Sequence, residues 1–97
     1  MLVKLTEVCN NAAVTSRQQY MLRDVFINPE HVVMIREERR LREINENGGV
    51  LAGLDANHRF SKLTINRGTT GTEIVVIGAP EIIETQLKTS SKVLLKG

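Results

Sequence analysis

Two short segments of the chain hold the side chains best suited to binding chemistry. The first is Asp24-Val25-Phe26-Ile27-Asn28 and the second is Ile65-Asn66-Arg67-Gly68. An aromatic ring and a guanidinium together provide stacking and hydrogen bonding, which are the interactions that proteins use on single-stranded RNA. Each segment also has a simpler interpretation, with Phe26 as a core aromatic and Arg67-Gly68 as a hairpin turn whose side chain is solvated.

The residue types that enzymes use are few and scattered. His31 and His58 are the only histidines and Cys9 is the only cysteine, and none of them lies at a metal-ligand or catalytic spacing from another. The glycines form neither a dinucleotide-binding pattern nor a phosphate-binding loop. We therefore expect a protein that is not an enzyme and has no metal site and no cofactor. His31 is interpreted as an interface or edge residue.

A charged segment from Arg36 to Glu43 offers a third kind of chemistry. Four arginines lie between positions 36 and 42, which would suit a basic patch for nucleic-acid phosphates. The alternative, favoured by the intervening Glu37 and Glu38, is a solvated face on which the two signs neutralise one another.

The elements that must position these residues are mostly short strands. Residues 62–66 alternate between polar and apolar, and residues 73–77 form a β-branched run, with Gly68 and Gly71 between them. This pattern predicts a hairpin with its turn over 67–71. Further strands are predicted over 2–8, 20–27, 31–35 and 92–96, and residues 9–19 are interpreted as a loop.

Residues 36–54 admit two structures. A helix would gain pairs such as Glu38 with Arg42, whereas Asn47-Gly48-Gly49 is a strong hairpin signal. We favour a β-arm that projects into solvent and returns through 50–54. One short helix is predicted over about 80–88, because Pro80 suits the first helical position and Glu81 and Glu84 suit the first turn.

Length and composition indicate a single small domain. The 97 residues fit one domain over 1–97, and a net charge of +2 permits nucleic-acid binding without requiring it. No apolar stretch approaches the roughly 20 residues of a membrane span, and the N-terminus lacks the pattern of a secretion signal. The single cysteine fits a reducing compartment. We therefore expect a cytoplasmic protein.

Taken together, the two binding segments resemble the Sm-like (Sm/LSm) family over roughly residues 20–77. That family carries an Asp-x-aromatic-apolar-Asn segment at one strand connection and an Arg-Gly segment at a later hairpin. The resemblance implies a mainly β fold, a small and strongly bent five-stranded barrel of the SH3/Sm type. The helix at about 80–88 would lie at its periphery and the arm at about 36–54 would project from it.

The resemblance also implies a role for each residue of the two segments. Phe26 would stack on a base and Asn28 would bind the base edge, while Asp24 would orient that loop. Arg67 with Gly68 would close the pocket at the inner rim of a ring of identical subunits. The implied function is RNA binding by such a ring, with single-stranded RNA as a partner.

Ring formation needs an unpaired strand edge. The strand over 72–77 is β-branched and uncharged after Glu73, so we expect it to pair with a neighbouring subunit through Thr72, Ile74 and Val76. Head-to-tail pairing of this kind closes into a ring when the rotation permits, with roughly five to seven subunits expected here. The segments NPEHVVMI and VVIGAPEIIETQL look most like divergent Sm-like proteins of marine cyanophages, which implies the cytoplasm of an infected bacterial cell.

Two functions of other classes stay open. One is a structural, assembly or adaptor protein that uses the barrel only for self-association and has no affinity for nucleic acid. The other is a small regulator that contacts a host protein through the arm.

Overall fold

The computed structural model describes the backbone of residues 2–10, 20–47, 57–68 and 70–96 and, within these ranges, all side chains apart from those of residues 10, 67, 70 and 90–96. The elements in chain order are β1 (Val3–Asn10), β2 (Tyr20–Ile27), a 3-10 turn (Pro29–His31), β3 (Val32–Glu37), α1 (Arg39–Glu46), β4 (Phe60–Arg67), β5 (Thr70–Ile77) and α2 (Pro80–Lys96). The fold is mainly β, as the sequence predicts.

The strands form one antiparallel sheet in the order β2-β1-β5-β4-β3. Its two outer strands follow one another in the chain and are joined only by Asn28 and the 3-10 turn. In a flat sheet of five strands about 4.8 Å apart, β2 and β3 would lie about 19 Å from each other. The sheet is therefore strongly curved. Within the described ranges β2 and β3 are not hydrogen-bonded to each other, so the sheet is not closed into a barrel.

The predicted hairpin is confirmed, with a tighter turn than expected. β4 and β5 pair from Phe60 with Ile77 to Arg67 with Thr70, so the chain reverses between Arg67 and Thr70. Gly68 has a φ of +84°, a conformation that glycine adopts at little cost. Gly71, expected in the turn, instead pairs with Asn66 inside the ladder.

β5 lies in the middle of the sheet, which corrects its prediction as the edge strand. β4 pairs along its whole length, and on the other side β1 pairs with Val75 and Val76. Val76 thus has a partner on both sides within its own subunit, whereas Thr72 and Ile74 lie beyond the stretch that pairs with β1. Strand order depends on pairing between distant parts of the chain, so the local β-branched pattern could not reveal it.

One face of the sheet packs against α2 and forms the larger core. Its buried residues come from β1, β2, β4, β5 and α2 and include Leu5, Leu63, Val76, Ile83 and Leu87. Strand alternation places Val25 and Ile27 on this face and sends Phe26 to the other.

A second apolar cluster lies on the opposite face of the sheet, and it contains a helix where a β-arm was predicted. Residues 39–46 form α1, and its Leu41 is buried with Val8 and Phe60 while Ile44 packs beside them. Glu38 caps the helix by accepting a hydrogen bond from the Arg40 amide at 3.3 Å. A helix presents Leu41 and Ile44 on one face, which a projecting hairpin would leave in water. The returning strand expected over 50–54 lies outside the described residues.

α2 is longer than the predicted helix and replaces the strand expected over 92–96. It begins at Pro80, as predicted, but continues past 88 to Lys96. Ile83 and Leu87 bury its inner face in the larger core. Before it, Gly78 has a φ of +129°, and its carbonyl accepts a 2.7 Å hydrogen bond from the hydroxyl of buried Ser61.

Candidate nucleic-acid interface

A cavity of about 420 Å³ opens where β2 ends, beside the β4–β5 hairpin. Its inner wall is apolar, because Val25, Ile27, Ile65 and Ile74 are partly or fully buried there. The volume lies within the range of about 300 to 1,000 Å³ that is usual for small-molecule sites. The cavity is thus large enough to accept a planar ring.

Polar groups and two exposed apolar side chains complete the cavity. Asn28, His31 and Thr72 are its polar lining residues, and Leu2 and Phe26 are its exposed apolar ones. Amide, imidazole and hydroxyl groups can donate or accept hydrogen bonds at a base edge. The combination matches the general design of ligand sites, which have apolar walls and a few polar groups that fix orientation.

Phe26 is the aromatic residue at this cavity, and it is not a core residue. Its side chain is 60% exposed, because alternation along β2 turns it away from the face that α2 covers. Exposure of a large ring on an outer strand is costly unless something covers it. The ring is therefore available for stacking, and the interpretation of Phe26 as a core aromatic is wrong.

Asn28 has a structural role as well as a place in the cavity. Its Oδ1 accepts a 3.0 Å hydrogen bond from the Glu30 amide and so caps the 3-10 turn, in which Pro29 takes the first position. This capping leaves the Nδ2 group as the donor through which Asn28 could meet a ligand.

Asp24 is not brought to the cavity. It lies on β2 opposite Thr6, and its carboxylate is 3.9 Å from the Nζ of Lys4, with both side chains largely exposed. An exposed pair of this kind contributes little to stability. No described contact supports its predicted role in orienting the Asn28 loop.

The second predicted segment, Ile65-Asn66-Arg67-Gly68, lies at the end of β4 next to the cavity. Ile65 and Thr72 form a register pair and both line the cavity, and Arg67 follows two residues beyond Ile65 at the end of β4. Gly68 forms the exposed turn. The backbone thus brings the Phe26–Asn28 segment and the Arg67–Gly68 hairpin to the same end of the sheet, while the side chain of Arg67 is not described.

Sequence reasoning missed His31 and Thr72 as lining residues of this cavity. His31 ends the turn that Asn28 caps, and its amide donates a 3.0 Å hydrogen bond to the Asn28 carbonyl. One turn of a 3-10 helix has three residues, so it brings His31 back to the side on which Asn28 lies. The spacing Asn-Pro-x-His was the sequence signal that could have predicted His31 at the cavity. Thr72 had been assigned to a subunit edge because its strand was expected to be outermost.

An ion-pair cluster joins four parts of the chain at the other end of β3. The Glu37 carboxylate accepts hydrogen bonds from Arg59 at 2.7 Å and from Arg42 at 3.2 Å, and Arg59 also lies 3.8 Å from Glu81. The hydrogen bond from Arg59 lowers the pKa of Glu37 below its ordinary value, and the same bond raises the pKa of Arg59. The cluster fixes α1 and the start of α2 to the sheet.

A second cavity, of about 520 Å³, lies between β1, β5 and α1. Its lining includes the carboxylates of Glu7, Glu38 and Glu73 together with Cys9 and Arg40. Glu7 is buried and accepts a 3.0 Å hydrogen bond from Arg23, and the Cys9 thiol lies 3.6 Å from the Met21 carbonyl. Neither histidine lines this cavity, so it has no acid–base pair with the thiol.

Within the described ranges, no group of three or more histidine, cysteine, aspartate or glutamate residues is arranged to hold a metal ion. None of the helices in those ranges combines the length and apolar character that crossing a bilayer requires.

Comparison of the chain with protein-family models, with curated proteins and with solved structures found no match.

Proposed function

We propose that this protein binds single-stranded RNA, with a base stacked on Phe26 at the cavity where β2 ends. The observation that carries the proposal is an exposed aromatic ring beside a cavity that has apolar walls and three hydrogen-bonding side chains. In this binding mode Asn28 and His31 meet the base edge, and Arg67, at the end of β4, is a further contact of the RNA. No catalytic step is involved.

We further propose that the fold is a divergent Sm-like barrel. The strong curvature required by the short connection between the two outer strands supports this, as does the confirmed hairpin that ends in Arg67-Gly68. The convergence of that hairpin with the Phe26–Asn28 segment is the arrangement expected of such a barrel.

The proposal is tested by measuring the affinity of short uridine-rich and adenosine-rich RNA strands by fluorescence anisotropy. Stacking of one base is worth about 1 to 3 kcal/mol, so Phe26→Ala should weaken binding about 5- to 150-fold. Ile82→Ala is the matched control, because Ile82 is 56% exposed and lies on α2, outside the cavity and both outer strands. Equal affinities of Phe26→Ala and Ile82→Ala would contradict the proposal.

A second candidate function is self-association, and the outer strands favour it. β2 exposes Met21, Leu22 and Phe26, and β3 exposes Val33 and Met34. Unpaired outer strands with apolar side chains are ready to pair with another chain. We propose that β2 of one subunit pairs with β3 of the next and that this head-to-tail pairing leads to a closed ring. The proposed interface therefore differs from the one predicted at Thr72, Ile74 and Val76.

Native mass spectrometry at micromolar concentration tests this second proposal. A single closed oligomer is expected for the wild type, and Val33→Lys should convert it to monomer because a charge at the strand edge opposes pairing. Glu30→Lys, an exposed change in the turn before β3, is the control and should keep the oligomer. A monomeric wild type would overturn self-association and leave RNA binding to be judged separately.

A further inference from the structure

In the charged segment over residues 36–40, which ends in the first turn of α1, the glutamates and the arginines lie in different environments. The carboxylates of Glu37 and Glu38 are only 19% and 18% exposed. Glu37 is bound by Arg59 and Arg42, and Glu38 is bound by Lys62 at 3.2 Å while it caps α1. Both glutamates thus have ion-pair partners of their own, and among the outward-facing arginines Arg39 also interacts with Glu37 through its charge, without an ion-pair contact.

Three arginines of this segment stay exposed and without a carboxylate partner. Arg36, Arg39 and Arg40 are exposed, and none of them has an oxygen of a described carboxylate within 4.0 Å. The Arg36 guanidinium instead lies 3.3 Å from the sulfur of Met34. Arg40 lies at the 520 Å³ cavity, which Glu7, Glu38 and Glu73 also line; Glu7 is bound by Arg23 and Glu38 by Lys62, and Arg40 has no ion pair within 4.0 Å with any of the three.

Their position on α1 is unfavourable for the helix itself. Arg39 and Arg40 occupy its first two positions, where the helix dipole and the free amide groups are already positive. Cations are stabilising at the other end of a helix. Arg36 adds a third positive charge from β3 and lies opposite Lys62 in the ladder, which is another unfavourable like-charge pair. An anion at this surface would relieve all of these contacts.

We propose that Arg36, Arg39 and Arg40 bind the phosphates of the single-stranded RNA whose base occupies the cavity near Phe26; this rests on the proposed function. β3 connects the two sites, since His31 at the cavity directly precedes the strand and Arg36 lies near its far end. Four residue steps from Val32 to Arg36 cover about 13 Å at about 3.3 Å each. A strand of a few nucleotides spans that distance.

The test is the salt dependence of RNA affinity. Affinity falls as salt rises, and each phosphate contact to a single strand makes the slope of log affinity against log salt steeper by about 0.7. The triple variant R36Q/R39Q/R40Q should therefore make this slope shallower by about 2. Between 50 and 200 mM salt, the wild type should therefore lose about 20-fold more affinity than the triple variant. The control is K88Q, which removes an exposed lysine on α2 and should change the slope far less per charge removed.

The outcomes separate this inference from the proposed function. If the triple variant keeps the wild-type slope while Phe26→Ala still loses affinity, the arginine site is wrong and the cavity stands. If the triple variant loses the slope while Phe26→Ala binds normally, the arginine site stands and the cavity is wrong. Absence of RNA binding by the wild type overturns both. Circular dichroism of each variant establishes that α1 is retained.

Discussion

Single residues at the far end of β3 determine how the helices are attached to the sheet. Glu37 is the central group, because its carboxylate bonds one arginine from α1 and another from the residue before β4. Charge-assisted hydrogen bonds of this kind are stronger than neutral ones. Their contribution must therefore depend on the ionisation of one carboxyl group.

Stability should fall in acid through Glu37. Its pKa is lowered in the folded protein, first by the hydrogen bond from Arg59, so its contribution is fully present above the ordinary value of 4.5 and is lost as the pH drops below it through the folded value. Glu37→Gln should lower the unfolding free energy at pH 7 and flatten the acid limb of the stability curve. Urea unfolding of both proteins between pH 7 and pH 2 measures this. Parallel curves would contradict it.

Replacing each of three glycines with alanine should destabilise the fold by different amounts, according to the backbone conformation and the space at each position. Gly78→Ala should be the most destabilising change, because its φ is +129° and an added Cβ would lie 3.0 Å from the Ile83 side chain. Gly68→Ala has open space at a φ of +84° and should cost about 1 to 2 kcal/mol. Gly71→Ala, with ordinary backbone angles and only a 4.0 Å neighbour, should cost the least. Thermal unfolding of the three variants gives the order.

At the scale of elements, residues 36–46 show how a tertiary contact decides between two local signals. The glycine pair after Asn47 predicted a hairpin, and the spacing of glutamates and arginines predicted a helix. The helix forms because Leu41 and Ile44 can then reach the apolar patch of Val8 and Phe60. That patch is assembled by β1 and β4, which no window of sequence around Leu41 contains.

Leu41→Ala tests this assignment directly. Removal of a buried leucine side chain typically costs about 2 to 5 kcal/mol, and Leu41 is buried. In a solvent-projecting arm the same change would be nearly neutral. Glu43→Ala, on the exposed side of α1, is the control and should stay within about 0.5 kcal/mol of the wild type. Chemical denaturation at neutral pH separates the two expectations.

At the scale of the whole molecule, sequence reasoning succeeded where the signal was local. Strand β2 and the β4–β5 hairpin were predicted because alternation, β-branching and turn residues lie within one short window. The order of strands was not predicted correctly, because the pairing of β1 with β5 joins residues 7 and 8 to residues 75 and 76, which are far apart in the sequence. The continuation of α2 past residue 88 to Lys96 was also missed, since residues 92–96 were predicted to form a strand.

The candidate site was predictable to the same extent. Phe26 and Asn28 lie at the cavity, and the hairpin that carries Arg67-Gly68 reaches the same end of the sheet. Asp24 is not among the residues that line the cavity: it lies on the same side of β2 as Phe26 but two residues farther from the strand end, beside Lys4, and a short motif does not show how far the cavity extends along its strand. His31 was overlooked because the 3-10 turn that positions it depends on the cap by Asn28.

The bonding of Arg59 to both Glu37 and Glu81 has a consequence for how this protein opens. One guanidinium connects the outermost strand to the first turn of the long C-terminal helix, and the same carboxylate holds the short helix on the opposite face. Loss of this guanidinium should therefore weaken the attachment of both helices. Arg59→Gln should raise the amide-proton exchange rates of α1 and of the first turn of α2, more strongly in α1, because Arg59 lies 2.7 Å from Glu37 and 3.8 Å from the exposed Glu81.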